Sequence, residues 1–134
     1  MKPRVLDILK KLMAFDTVSS ESNMALIEYV RDLLLSHGIE SLIVKDESGH
    51  KANLFASTGP KNQPGVLLSG HTDVVPAAGQ AWTFPAFAAT VQDGRIYGRG
   101  SCDMNGFYRP GHRRHARCRR AHAEPPAATG VVPR

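Results

Sequence analysis

Residues 66–76 read VLLSGHTDVVP: an apolar run halts at a glycine, a histidine, a threonine and an aspartate, then resumes. A short unbroken apolar run bounded by glycine predicts a strand over Val66 to Gly70, of the parallel kind that is buried on both faces. His71 then falls at the carboxyl end of that strand, where open α/β sheets bind their ligands. In an extended backbone positions i and i+2 project to one side, so Asp73 lies beside His71. A neutral imidazole is a preferred ligand of Zn²⁺, and a nearby carboxylate selects its tautomer and raises its basicity. The plainer alternative is a histidine held in a local Asx-type turn at a strand end.

The flanking sequence has the layout of an α/β protein. Val5, Ile8, Leu9, Leu12 and Met13 recur at helical spacing, with Pro3 suited to a first turn. A second helix is predicted over residues 21–37, capped by Ser19, Ser20 or Ser22, striped by Leu26, Ile27, Val30, Leu33 and Leu34, and ended by Gly38. Strand-type runs follow at residues 41–45, 53–57 and 66–70, punctuated by turn residues. A further pair, residues 90–92 and 95–97, brackets Asp93-Gly94, a strong hairpin signal. The expected fold class is therefore α/β, with helices covering a mixed sheet.

Composition divides the chain in two. Residues 1–107 carry ten Lys and Arg against eleven Asp and Glu, whereas residues 108–134 carry seven Arg against a single Glu. The net charge of +5 thus belongs to the tail, and a nucleic-acid role would rest on that segment alone, through salt-sensitive, sequence-independent attraction to phosphates. The tail contains no Ile, Leu, Met, Phe or Lys, so it is expected to be a disordered Arg-rich segment. Its codons read one base later permit an amphipathic helix and a strand-like run. A one-base insertion after Phe107, leaving an incomplete first domain over 1–107 and an aberrant tail over 108–134, is the expectation. Two cysteines, Cys102 and Cys118, form no disulfide framework and no CxxC pair. No apolar run approaches the ~20 residues of a bilayer span, and the start is not a signal peptide, so no membrane association and a cytoplasmic location are expected.

A second cluster, GRGSCDMNG at residues 98–106, follows the hairpin. Its glycines suggest a backbone that turns sharply and approaches something closely. Asp103 is its only carboxylate, and a carboxylate can bridge two divalent cations. In isolation such a loop is commonly just a turn.

SGHTDVVP, then WTFPAF, then DGRIYGRGSCDMNGF, in that order and spacing, resembles the start of the catalytic domain of the cocatalytic zinc amidohydrolases. That family includes acetylornithine deacetylase, succinyl-diaminopimelate desuccinylase, aminoacylases and glutamate carboxypeptidases. The resemblance covers residues 1–107, and the opening segment, KANLFASTGP and the Ser-Cys before Asp103 favour the deacetylase branch. It implies His71 as a ligand of one metal and Asp103 as the bridging ligand. It implies Asp73 as the catalytic carboxylate that orients and polarises His71, and a cis peptide after Asp103. Two Zn²⁺ per complete site are implied, with Co²⁺ an accepted substitute. So are a small N-acyl amino acid as substrate, hydrolysis of its amide bond, and a homodimer built through a separate domain. The general base, the remaining ligands and that dimerisation domain are expected beyond residue 107, so the 134-residue chain is expected to be inactive. Glu124, His112, His115 and His122 match no family motif. The family usually has Lys where Asn105 stands, and Ser-Asp-Pro where Phe84-Pro85-Ala86 stands. A nucleic-acid-binding module with an α/β scaffold is the alternative of another class.

Overall fold

A computed structural model describes residues 3–105 and 127–130. The chain begins with α1 (Pro3–Met13) and α2 (Met24–Leu35), then β1 (Ser41–Lys45), β2 (Ala52–Thr58) and β3 (Val66–Ser69). A hairpin of β4 (Thr90–Gln92) and β5 (Arg95–Tyr97) follows, and β6 (Ala127–Gly130) lies last in the chain. Two sheets result: a four-stranded one in the order β1-β2-β6-β3 and the two-stranded β4-β5. The α/β expectation holds.

Each helix covers one sheet. Ile27 of α2 is 1% exposed and clusters with Ala52, Leu54 and Ala56, alternate residues of β2 and hence one face of the pleat. Leu9 and Met13 of α1 pack with Ala89 and Ile96 at the hairpin. In the turn of that hairpin Asp93 and Gly94 both have positive φ, at 50° and 73°, as a two-residue connection matched to strand twist requires. Among the described residues, no helix is long and apolar enough to cross a membrane.

Three sequence expectations need correction. The second helix starts at Met24 rather than residue 21, because Ser22 and Asn23 are engaged elsewhere: the Ser22 hydroxyl donates to His50 O at 2.7 Å. Asn23 gives its helix no side-chain cap. Its amide instead pairs with the backbone of Ala52, donating to O and accepting from N, each at 2.9 Å. Second, β3 is not buried on both faces. Val66 and Leu67 are 61% and 55% exposed, since β3 ends the sheet and among the described strands only β6 pairs with it, in parallel. Third, α2 has no Ser at its N-cap position, although the Ser22 hydroxyl does accept from Met24 N at 3.2 Å. Within the segment expected to be disordered, β6 runs antiparallel to β2 and parallel to β3, filling the slot between them. Strand pairing is made by backbone amides and carbonyls, so a composition too poor to build a core can still complete a ladder. The rest of that segment lies outside the described residues.

Candidate metal centre

His71 and Asp73 lie just beyond the end of β3, and Asp103 lies in the turns that follow β5. The structure brings the three together. The His71 Nδ1 atom is 3.0 Å from the backbone oxygen of Asp73 and 3.2 Å from its carboxylate Oδ1. Across the ring, Nε2 is 3.2 Å from Asp103 Oδ1. The side chains of His71, Asp73 and Asp103 are 42%, 51% and 79% exposed, so the pair faces solvent.

Both elements are held in place by close contacts. Thr17, Val18 and Ser19 run parallel to Thr72, Asp73 and Val74 through the Val18–Val74 bridge, with Val74 N donating to Thr17 O at 3.0 Å. The buried Thr17 hydroxyl donates to Thr72 O at 2.6 Å. The glycine loop is tight for a visible reason. A Cβ on Gly100, where φ is 77°, would lie 2.5 Å from Asn105 Nδ2, and one on Gly98 would lie 2.7 Å from Met13 Cε and 2.8 Å from Ala86 O. Arg99 then ties this loop to the segment after Val75. Its guanidinium sits 4.8 Å from the Trp82 ring centroid and donates to Gln80 Oε1 at 2.9 Å and Pro76 O at 3.3 Å. The Asp103–Met104 peptide is cis, as the resemblance implies.

The hydrogen-bond arithmetic of His71 admits two arrangements. With Nδ1–H committed to Asp73, the Nε2 lone pair faces a carboxylate oxygen of Asp103, two acceptors aimed at each other. Either a proton on Nε2 or a cation between the two atoms relieves that opposition. Tetrahedral ligands at Zn–N and Zn–O lengths of about 2.1 Å stand roughly 3.4 Å apart, close to the observed 3.2 Å. The donor set, an imidazole nitrogen and a carboxylate oxygen, suits a divalent metal of this kind. Among the described residues no group of three or more His, Cys, Asp or Glu is arranged to hold an ion. His112, His115, His122 and Glu124 lie outside the described residues.

Asp73 has its pKa lowered from the ordinary value, chiefly by the hydrogen bond from Ser19, whose hydroxyl reaches Oδ2 at 2.6 Å, against the raising effect of its partial burial. Sequence reading singled out His71, Asp73 and Asp103, which the structure brings together, but not the contact of Ser19, which lies 54 residues from its partner. No local spacing signals such a contact. Cys102 is a free, exposed thiol, and its Sγ accepts only a long contact from Ser101 Oγ at 3.9 Å.

Comparison with known proteins adds relatives by sequence and by fold. Residues 67–108 match the family model described as Peptidase family M20/M25/M40. A succinyl-diaminopimelate desuccinylase of Rickettsia felis is 44% identical over 106 residues, 75% of this chain and 27% of that protein. An acetylornithine deacetylase of Pasteurella multocida is 39% identical over 113 residues, 79% of this chain and 29% of that protein. The chain therefore spans little more than a quarter of these relatives, and both branches of the resemblance are represented. Among solved structures, the M20 family metallo-carboxypeptidase Sso-CP2 from Sulfolobus solfataricus superposes with a TM-score of 0.80 at 20% identity, over 98% of this chain and 30% of that one. Human carnosine dipeptidase 1 superposes at 0.76 and 21% identity, over 96% of this chain and 31% of that one. At such identities the likeness is one of fold. The family match rests on residues 67–108, and the likeness to the solved structures adds the fold.

Proposed function

We propose, on the match of residues 67–108 to Peptidase family M20/M25/M40, that this chain carries part of a metal-dependent hydrolase that cleaves the amide bond of an N-acyl amino acid. The observation that carries the reading is the 3.2 Å approach of His71 Nε2 to Asp103 Oδ1 while Nδ1 is committed to Asp73. His71 through Nε2 and Asp103 through its carboxylate would hold the ion, Asp103 being the bridging ligand of a two-metal centre. When bound, a divalent ion such as Zn²⁺ or Co²⁺ supplies Lewis-acid polarisation of a carbonyl and of water. Asp73 holds the Nδ1 proton, which keeps the Nε2 lone pair directed at the ion and makes the imidazole a stronger donor. The exposure of the pair leaves room for a small substrate. The names of the relatives support N-acetylornithine and N-succinyl-diaminopimelate equally as that substrate.

The test is a calorimetric titration of the folded chain with Zn²⁺ and Co²⁺, read alongside the His71 ring resonances. Saturable binding that perturbs those resonances, and that His71→Ala and Asp103→Ala each abolish, is expected. Binding that survives both substitutions would overturn the assignment.

A further inference from the structure

Among the described residues, four hydrogen bonds fasten the segment that carries His71 and Asp73 to residues 17–19. Three of them, Val74 N to Thr17 O, Ser19 N to Val74 O at 3.3 Å, and the Thr17 hydroxyl to Thr72 O, end on backbone. They set where the main chain runs. Only the fourth reaches a functional group: the Ser19 hydroxyl donates to Asp73 Oδ2 at 2.6 Å, while Oδ1 of the same carboxylate faces His71 Nδ1 at 3.2 Å. The terminal torsion of an aspartate is soft, with no sharp rotamer wells. A carboxylate gripped at one oxygen only by an exposed imidazole can therefore turn away. Holding Oδ2 fixes the carboxylate plane and presents Oδ1 to the ring. Ser19 is itself anchored from behind, since the Lys51 ammonium donates to its backbone oxygen.

We propose that Ser19 is a positioning residue for the metal centre: its hydroxyl locks the Asp73 carboxylate in the plane that selects the Nδ1–H tautomer of His71. The relay runs from Ser19 Oγ–H to Asp73, from His71 Nδ1–H to Asp73, and from Nε2 outward to the ion. It rests on the assignment of His71 as a ligand and Asp73 as its orienting partner, and adds the residue that orients Asp73 in turn. Because Ser19 is exposed, its replacement costs little packing. A purely structural role would leave the tautomer alone.

Two readouts on the full chain separate the possibilities. The first is the pair of ¹⁵N shifts of the His71 ring in metal-free protein at a pH high enough to leave the ring neutral. In the parent chain the shifts are expected to show Nδ1 protonated and Nε2 not, whereas Ser19→Ala moves both toward the averaged values of mixed tautomers. The second is Zn²⁺ affinity. Losing an outer partner of a metal-bound histidine typically costs 10–100-fold, and one step further out the expected loss is about fivefold to tenfold. Ser19→Thr, which keeps the hydroxyl, restores both readouts. Ser20→Ala, whose hydroxyl meets only Glu21, changes neither. Should Ser19→Ala lose its folded amide spectrum, Ser19→Cys, near in size but a weak donor, is read the same way. Unchanged ring shifts and affinity in Ser19→Ala overturn the proposal with the metal assignment intact. Absent Zn²⁺ binding in the parent chain overturns the metal assignment, and the ring shifts then still decide the role of Ser19.

Discussion

Replacing Thr17 by Val tests whether the strand end that carries His71 is held by a hydrogen bond or by packing. Thr17 and Thr72 are 3% and 8% exposed, and the hydroxyl meets Thr72 O at 2.6 Å. Valine keeps the volume but puts a methyl where the hydroxyl was. Carbon and oxygen need at least about 3.3 Å, so the two groups must part by roughly 0.7 Å. The buried carbonyl is left without this donor at a cost of ~1–3 kcal/mol, and the added methyl returns at most ~0.8 kcal/mol if it fits. A net loss near 2 kcal/mol is expected, seen as a lower urea midpoint with unchanged slope. Serine makes the opposite trade, keeping the donor and deleting one buried methyl, for about 1 kcal/mol. Thr17→Val should therefore be the less stable variant although it is the better isostere, and the amide shifts of residues 71–74 should move in it alone. The reverse ranking, or a Thr17→Val midpoint matching the parent, would refute the reasoning.

Gly98→Ala should destabilise the loop by about 1–3 kcal/mol from backbone strain alone, because φ is 151° and the new Cβ would press on the backbone oxygen of Ala86, which cannot rotate away; faster amide exchange over residues 86–100 is the measurement, and protection equal to the parent would contradict it. Asp46 has a lowered pKa, first through the Ser48 hydroxyl at 2.8 Å and then through the Lys51 amide. A carboxyl depressed in the folded state stabilises above its unfolded pKa and loses that contribution as pH falls through the folded value. The gap in urea midpoint between the parent and Ser48→Ala should thus be complete above about pH 5 and close as pH approaches about 2. A gap that widens with acid would be inconsistent with this linkage.

What sequence by itself determined is whatever rests on short-range pattern. The apolar stripe of Ile27, Val30 and Leu34 specified the face of α2 that meets β2, because helical period and burial are written in neighbouring residues. Asp93-Gly94 specified the hairpin, since few residue pairs tolerate two positive φ angles in succession. His71, Asp73 and Asp103 were legible as chemistry because two motifs stood in order, each with its own local turn. Tertiary structure decided how those pieces meet. Strand order is one case: β6 enters between β2 and β3 through backbone pairing, which leaves little mark on composition. The exposure of Val66 and Leu67 follows from that order, with β3 at the end of the sheet and not in its middle. The grip of Ser19 on Asp73 is another, for a hydrogen bond across 54 residues depends on where two distant turns are brought by packing. Local propensity selects the elements, whereas the juxtaposition of Ser19, Asp73 and His71 is settled only when the chain closes on itself.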